Sequence, residues 1–213
     1  SLGWSVIEAL LNGETWFRRD RAAFEVLERE LLPALTAARP GGRVRIWCGG
    51  ASTGQEAYSL AIAALEAGAQ VEIEATDLSR QAIEKALSGL YTSFEIQRGL
   101  SARTMLRWFE QVEDQWRARP ELRAAIAFKR ANLLDEPTDE GRFDVVFCRN
   151  VLADMAPERR ARLLDGLERR MVDDGCLFLG RDERPDGDSV AFRPVAGRQG
   201  LYVKSAAAAR RAA

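Results

Sequence analysis

Residues 44–54 read VRIWCGGASTG, a short apolar strand that runs directly into a glycine-rich turn. A helix is predicted to follow it through Tyr58–Leu65 and to end at Gly68. In open α/β sheets, ligands bind outside the carboxyl ends of the strands, which is where this turn would lie. The stretch therefore predicts an α/β protein with a ligand site beside the turn.

Strand and helix patterns alternate along the rest of the chain. This alternation predicts a doubly wound, mostly parallel sheet that ends in an antiparallel pair. Further strands are predicted at Val71–Ala75, Ile126–Phe128, Phe143–Cys148 and Cys176–Leu179. A turn at residues 173–175 is predicted before the last of these strands. Val190–Val195 and Leu201–Lys204 are predicted to form a hairpin, with Gly197 and Gly200 in its turn. Helices are predicted at Trp4–Leu11, along the spacing of Phe24, Leu27, Leu31 and Leu35, and at Ser79–Leu87, Met105–Phe109 and Arg159–Met171.

The composition is that of a globular protein, with 46% hydrophobic and 30% charged residues. Lysine and arginine number 31 against 32 acidic residues, so no overall positive field would attract nucleic acid. No apolar run reaches the length of a membrane span, and the three cysteines each lie in or beside an apolar run, which predicts reduced, buried thiols. We expect a cytoplasmic monomer that neither binds nucleic acid nor inserts into a membrane.

The sequence contains no histidine. Histidine general bases, histidine-dependent catalytic triads and zinc sites with histidine ligands are therefore excluded, and we expect no metal. Two arginine clusters, near Arg19 and near Arg160, are each consistent with a solvated helix face.

The glycine-rich turn has the pattern G-x-A-x-x-G. Ala51 occupies the position where a dinucleotide pyrophosphate needs glycine, and the turn lacks the lysine of a phosphate-binding P-loop. A nucleoside without phosphates suits it better, and S-adenosylmethionine is such a ligand. Asp77 lies 23 residues beyond Gly54, where a carboxylate can accept from both ribose hydroxyls. The alternative for Asp77 is the N-cap of the helix that begins near Ser79.

Glu56 has two interpretations from its position. Thr53 and Glu56 have the spacing of a capping box, in which the glutamate only fixes the start of its own helix. In the functional interpretation, Glu56 contacts the amino group of the cofactor's methionine part. The residues alone leave both open.

Five motifs in order resemble the chemotaxis-receptor glutamate O-methyltransferases of the CheR type. They extend from Glu14 to about Gly180 and so span most of the chain. They are GETWFRRD (residues 13–20), IWCGGASTGQEAYSLAI (46–62), ATD (75–77), NLLD (132–135) and FCRNVL (147–152).

This resemblance implies a class I methyltransferase fold, with a Rossmann-like sheet of seven strands, an antiparallel C-terminal strand and a small inserted subdomain. It implies that S-adenosylmethionine is the cofactor and that Arg19 pairs with its carboxylate, an interaction for which arginine geometry is suited. The alternative for Arg19 is a solvated arginine. The other cofactor-binding residues implied are Thr15, Gly49, Glu56, Asp77, Asn132, Leu133, Arg149 and Asn150.

Arg19 and Asp154 are the candidate catalytic residues. Asp154 stands where the resemblance places a tyrosine near the methyl-transfer site, and a carboxylate there could repel an acidic substrate or favour a cationic one. A glutamate side chain, with an ordinary pKa of about 4.3, is already ionised at neutral pH, so its methylation needs no general base. The absence of histidine is therefore compatible with this reaction.

The expected function is methyl transfer to glutamates of a methyl-accepting chemotaxis receptor or a similar coiled-coil protein. The alternative is a cofactor-binding regulatory module, or a methyltransferase for another acceptor. Members of the family carry a helical domain before the signature, where this sequence has about a dozen residues, so we expect weaker receptor docking. Further departures are Gly13 in place of a ligand-contacting asparagine and GRDE (residues 180–183) in place of Gly-His-Ser-Glu.

We expect three parts in the chain. Residues 1–40 form an N-terminal helical segment that carries the ETWFRRD motif. Residues 41–204 form the methyltransferase domain, with its small subdomain near residues 107–127, and residues 205–213 form a tail.

Overall fold

A sheet of seven strands runs through the computed structural model, which describes residues 13–136, 142–185 and 191–205. Ten strands belong to this sheet and to a smaller second one. They are β1 (Val44–Gly49), β2 (Val71–Asp77), β3 (Leu90–Thr92), β4 (Phe109–Val112), β5 (Gln115–Ala118), β6 (Ile126–Arg130), β7 (Phe143–Phe147), β8 (Met171–Phe178), β9 (Phe192–Pro194) and β10 (Leu201–Lys204).

Eight α-helical segments accompany these strands in the described residues. They are α1 (Arg21–Val26), α2 (Leu32–Ala38), α3 (Gln55–Glu66), α4 (Arg80–Ser88), α5 (Ser93–Gln97), α6 (Ala102–Trp108), α7 (Pro120–Ala124) and α8 (Pro157–Arg170). A π turn (Leu27–Leu31) joins α1 to α2, and a short 3-10 helix (Leu152–Asp154) follows β7.

The strand order of the large sheet is β6-β2-β1-β7-β8-β10-β9. The first five strands pair in parallel, and β10 pairs antiparallel with both β8 and β9. The predicted fold class, a mostly parallel seven-stranded sheet with an antiparallel C-terminal strand, is confirmed. The order reverses beside β1, so the switch point of the sheet lies between β1 and β7, where open α/β sheets bind ligands.

Helix α3 is an interior helix. Every residue from Gln55 to Ala64 is buried. One side of the helix packs on β2 and β6, and other sides meet the N-terminal helical segment and α7. A helix covered all round needs small and apolar side chains on every face, which explains the sequence AYSLAIAAL.

The helical spacing predicted from Phe24 to Leu35 is interrupted by the π turn. Phe24, Leu27, Leu32 and Leu35 are buried, whereas Leu31 is only partly buried. A π turn closes on the fifth residue rather than the fourth, so it aligns Leu32 instead of Leu31 with Leu27. The predicted helix is present, but its core face shifts by one residue.

Two sequence predictions are wrong at the junction of α8 and β8, namely that the helix includes Met171 and that residues 173–175 form a turn before the strand. Helix α8 ends at Arg170, and Met171 begins β8. Residues 173–175 do not form a separate turn, because they lie within β8 at an irregularity of its pairing with β7: Phe143 pairs with Met171, but Val145 pairs with Cys176. The extra residues of β8 are accommodated inside the strand.

Three strands form a second, antiparallel sheet in the order β3-β5-β4. The prediction of a helix at Met105–Phe109 is correct up to Trp108, after which Phe109 begins β4. Strand β3, at residues 90–92, also belongs to this sheet. The second sheet therefore begins well before residue 107, where the small subdomain is predicted to start. The predicted division of the chain at residues 40 and 204 stays a prediction.

The predicted hairpin is present as β9 and β10, with Gly197 and Gly200 at positive φ between them. Its predicted first residue, Val190, lies outside the described residues, as do the predicted helix Trp4–Leu11 and residues 206–213 of the tail. All three cysteines are buried and unpaired, as predicted. No helix within residues 13–136, 142–185 and 191–205 combines the length and apolar character that a bilayer span requires.

Candidate active site

Candidate residues from four segments lie at the carboxyl ends of adjacent parallel strands. Gly49 is the last residue of β1, and Asp77 is the last residue of β2. Asn132 follows β6 by two residues and Arg149 follows β7 by two residues. Because the strands are neighbours in the order β6-β2-β1-β7, these residues share one edge of the sheet.

The glycine-rich turn is anchored to the end of β2. The backbone N–H groups of Gly50 and Ala51 both donate to the carbonyl oxygen of Thr76, at 2.9 Å each. Gly50 has φ +76°, and a Cβ atom there would lie 2.8 Å from a methyl carbon of Val151. Glycine is therefore required at this position for two reasons, since other residues disfavour this φ and no side chain would fit.

Asp77 holds two backbone segments with its carboxylate. Oδ2 accepts from the Ser52 N–H at 2.7 Å, and Oδ1 accepts from the Ser79 N–H at 2.8 Å. Helix α4 has its own cap, because the Ser79 side chain accepts from the Ala82 N–H at 3.2 Å. The N-cap interpretation of Asp77 is wrong, and the carboxylate instead connects the turn after β1 to the loop after β2.

Glu56 and Asp20 flank the guanidinium of Arg149, and we call these three residues the Arg149 cluster. Arg149 Nη1 donates to Glu56 Oε2 at 2.7 Å, and Nη2 donates to Asp20 Oδ2. The Arg149 side chain is 1% exposed. Its Nε atom is buried and has no hydrogen-bond partner among the described residues. With both carboxylates ionised, the cluster carries a surplus negative charge.

The capping-box interpretation of Glu56 is wrong. The N-cap of α3 is Gly54, which has no side chain to cap with, and Thr53 Oγ1 donates instead to Gln55 Oε1 at 2.7 Å. The Glu56 carboxylate is directed to Arg149, a residue 93 positions away in the sequence. Burial raises the pKa of Glu56, while the positive charges of Arg149 and, more weakly, Arg19 oppose that rise.

The segment Glu14–Asp20 contacts the small sheet through Phe17 and the end of the large sheet through Asp20. Phe17 is fully buried and makes edge contacts with Tyr91 and Phe109, with ring centroids 5.1 and 5.5 Å apart. A Cβ atom at Gly99 would lie 1.8 Å from the Phe17 carbonyl oxygen, so the backbones touch here. This packing fixes the segment and brings Asp20 to Arg149.

Two arginine side chains lie against the Trp16 ring. The guanidinium carbon of Arg19 lies 4.3 Å from the centre of the Trp16 ring, and that of Arg98 lies 4.1 Å from it. Arg19 Nη1 donates to the Glu14 carbonyl oxygen at 2.9 Å, and Arg98 pairs with the Glu14 carboxylate at 2.9 Å. Cation–π contacts of this kind orient a guanidinium, so Arg19 is held against the protein and is not freely solvated.

Comparison with known proteins identifies the family that these motifs suggested. Residues 13–201 match the family described as CheR methyltransferase, SAM binding domain. The chain belongs to the CheR methyltransferase family. Its cofactor is accordingly S-adenosylmethionine, and its class is S-adenosylmethionine-dependent methyltransferase.

Two relatives of this CheR domain illustrate the similarity. It is 38% identical over 189 residues to chemotaxis protein methyltransferase 1 of Pseudomonas aeruginosa, which covers 84% of this chain and 68% of the relative. It is 36% identical over 193 residues to chemotaxis protein methyltransferase Cher2 of Pseudomonas putida, and this alignment covers 85% of this chain and 70% of the relative. Among solved structures, a TehB-like SAM-dependent methyltransferase from Corynebacterium glutamicum is 14% identical, with a TM-score of 0.47 and coverage of 82% and 86%.

The strand-end residues of the CheR domain fit this cofactor. The glycine-rich turn lacks a phosphate-binding lysine, and each Asp77 oxygen keeps a further lone pair for a hydroxyl group beyond its backbone hydrogen bond. Leu133 approaches within 3.0 Å of the position that a Gly49 Cβ would take, which gives the turn an apolar neighbour. The two carboxylates that the Arg149 cluster sets against one guanidinium suit a ligand with an ammonium and a sulfonium group.

The remaining candidate residues lie along the same edge or beside it. Asn150 is exposed and has φ +59°, and Asn132 is exposed, with Oδ1 accepting from the Leu134 N–H at 3.0 Å. Thr15 is half-buried, and Asp154 is exposed at the end of the 3-10 helix. Among the hydrogen bonds of the described residues, none joins Thr15 or Asp154 to another candidate residue. The roles assigned to all of these residues stay predictions.

Sequence reasoning missed three residues that shape this site. Asp20 and Ser52 were quoted within motifs but given no role, although their pairing with Arg149 and Asp77 connects distant strands. Arg98 lies between the predicted helices Ser79–Leu87 and Met105–Phe109, and no motif marks it. Only the fold brings Arg98 to Trp16.

We predict that Arg19→Ala weakens binding of S-adenosylhomocysteine but not of adenosine. The expected loss is about tenfold, because a charge-assisted hydrogen bond to the ligand carboxylate is removed and adenosine has no carboxylate. Isothermal calorimetry with both ligands measures this difference. Arg21→Ala is the matched control, since that side chain is 80% exposed and pairs with Glu25 on its own helix. An equal loss for both ligands in Arg19→Ala would contradict the prediction.

Proposed function

We propose that this protein transfers the methyl group of S-adenosylmethionine to glutamate side-chain carboxylates of a methyl-accepting chemotaxis receptor or a similar coiled-coil protein. The products are glutamate methyl esters and S-adenosylhomocysteine. The relatives named as chemotaxis protein methyltransferases support the choice of receptor.

The observation that carries the proposal is the chemistry of the strand-end residues. They offer carboxylates, a buried arginine, amides and apolar groups, and the whole sequence contains no histidine. A neutral hydroxyl or amine acceptor would need a base to remove its proton, whereas a carboxylate is already a nucleophile. The site therefore favours an acceptor that arrives ionised.

The chain's own residues align the reactants and exclude water. Asp77 would hold the ribose hydroxyls, Arg19 would hold the methionine carboxylate and the Arg149 cluster would face the amino group. When bound, the cofactor would supply an electrophilic methyl group on a sulfonium, which a carboxylate oxygen can accept with S-adenosylhomocysteine as the leaving group. Alignment in a dry site is sufficient for such a step, and no protein group must gain or lose a proton.

We predict that the product of the reaction is a base-labile ester. Receptor-rich membranes are incubated with the protein and with cofactor that carries a labelled methyl group, and the labelled product is then treated with mild base. A carboxyl ester releases volatile methanol, whereas N-methyl groups stay bound. Label that resists base would contradict the proposed acceptor.

A variant at Asp154 sharpens this assay. If the carboxylate of Asp154 repels an acidic acceptor, Asp154→Tyr should raise the yield of base-labile label, by a factor of about 5 if the repulsion is worth about 1 kcal/mol. Asp165→Tyr is the matched control, because Asp165 is also exposed and lies on α8. An equal change in both variants would remove any special role for position 154.

A further inference from the structure

Glu183 is a buried carboxylate that accepts four backbone hydrogen bonds, and we call this arrangement the Glu183 clamp. Oε2 accepts from the N–H groups of Gly180 and Asn150, at 2.7 Å each. Oε1 accepts from the N–H groups of Leu152 at 2.7 Å and Ala153 at 3.3 Å. Glu183 is 7% exposed. Its side chain therefore joins the loop after β7 to the loop after β8.

The negative charge of Glu183 is balanced by these N–H dipoles. Among the described residues, no lysine or arginine lies within ion-pair distance of its carboxylate, so the four hydrogen bonds stabilise the buried charge. Hydrogen bonds to an ionised acceptor are about twice as strong as neutral ones. The clamp is therefore a strong local restraint on the backbone of residues 150–153.

Gly180 leaves the space in which the Glu183 carboxylate and the Asn150 backbone come together. A Cβ atom there would lie 2.7 Å from Glu183 Oε2, 2.9 Å from Asn150 Nδ2 and 3.1 Å from the Asn150 backbone nitrogen. Any side chain at position 180 would push the two loops apart. The requirement for glycine is steric, because the loop after β7 packs directly against the backbone of residue 180.

The restrained loop carries two candidate residues of the active site. Asn150 has φ +59°, a left-handed conformation that asparagine adopts more readily than most residues other than glycine. The N–H groups of Leu152 and Ala153 belong to the 3-10 helix that ends at Asp154. By holding these N–H groups, Glu183 determines where Asn150 and Asp154 stand at the edge of the sheet.

We propose that Glu183 is a positioning residue for methyl transfer, which fixes the loop of residues 150–154 in the conformation that the reaction requires. This inference rests on the proposed function. Glu183 acts through the loop and touches neither reactant, so its replacement should slow transfer more than it weakens cofactor binding. If Glu183 contributed only to stability, its replacement would lower the rate of transfer and the affinity for the cofactor together.

The test compares Glu183→Gln with the wild-type protein. The glutamine amide would place a donor against two backbone donors, so the loop should shift while the length of the side chain is kept. We expect kcat for transfer to receptor membranes to fall about 10- to 100-fold, because small misplacements are costly in an aligned reaction. The KM for S-adenosylmethionine should change by less than about threefold, since Asn150 is the one predicted cofactor-binding residue that lies in the loop of residues 150–154.

Amide hydrogen exchange provides a readout that does not depend on catalysis. In Glu183→Gln, the amides of Asn150, Leu152 and Gly180 should exchange roughly tenfold faster, while those of β1 keep their protection. Asp182→Asn is the matched control, because Asp182 is the exposed neighbouring carboxylate, and it should match the wild type in both measurements.

A second variant covers the case in which Glu183→Gln does not fold. Gly180→Ala leaves the carboxylate in place and displaces the loop through the added Cβ, and it should show the same separation of kcat from KM. A folded variant with kcat within twofold of wild type, or one with faster exchange throughout the sheet and parallel losses in kcat and KM, would overturn the inference.

Failure of the proposed function gives a different result. In that case the wild-type protein itself produces no base-labile label on receptor membranes. The clamp is then judged by exchange alone, and unchanged protection of residues 150–152 in Glu183→Gln would overturn it.

Discussion

Arg149→Met is expected to lower the free energy of unfolding by about 3–5 kcal/mol. The substitution removes the one guanidinium that pairs with both Glu56 and Asp20, and it leaves the Glu56 carboxylate buried without its principal partner. Burial already raises the pKa of Glu56, and Arg149 is the main opposing influence. Urea denaturation followed by circular dichroism measures the loss of stability.

Two further variants define the origin of this effect. Arg159→Met removes an exposed arginine of α8 and should change stability by less than about 0.5 kcal/mol. Adding Glu56→Gln to Arg149→Met removes a buried charge along with its partner, so part of the loss should be recovered. If Arg149→Met unfolds at the same urea concentration as the wild type, the Arg149 cluster has no structural importance.

Asp77→Ala is expected to weaken S-adenosylhomocysteine binding by about 1–3 kcal/mol, roughly 5- to 150-fold. The carboxylate is predicted to accept from the ribose hydroxyls, and it also holds the Ser52 N–H of the glycine-rich turn at 2.7 Å. Calorimetry measures the change, with Asp114→Ala in the exposed turn between β4 and β5 as the matched control.

The two roles of Asp77 are separated by a ligand that lacks both ribose hydroxyls. If Asp77 contacts those hydroxyls, the dideoxy analogue of S-adenosylhomocysteine should bind wild type and Asp77→Ala with nearly equal affinity. If the variant loses the same free energy for both ligands, the loss comes from a distorted turn. That outcome would count against the ribose contact.

Local sequence signals were sufficient for the framework of the fold. The apolar run before Gly49, the turn and the alternating strands predicted the parallel sheet and the edge along which Asp77 and Arg149 lie. These signals succeed because period, turn chemistry and strand ends are properties of short segments. The family motifs added residues such as Arg19, whose position alone suggested a solvated side chain.

Two of the failures involve partners that are distant in sequence, and a third is a local break in the helical period. Glu56 had the spacing of a capping box, but Arg149 offered it a stronger, buried interaction. The stacking of Arg98 on Trp16 joins a loop to the N-terminal segment, and no local pattern encodes it. Leu31 was expected in the core because a regular helical period was assumed, whereas the π turn places Leu32 there.

The position of the segment Glu14–Asp20 has a consequence for folding during synthesis. Phe17 packs against Tyr91 and Phe109, and Asp20 pairs with Arg149. A ribosome makes Tyr91, Phe109 and Arg149 well after residues 14–20, so this segment cannot reach its full set of native contacts until residue 149 is available. The part of the site that is translated first is therefore among the last to be completed, and the nascent chain cannot assemble the Arg149 cluster before its fourth parallel strand exists.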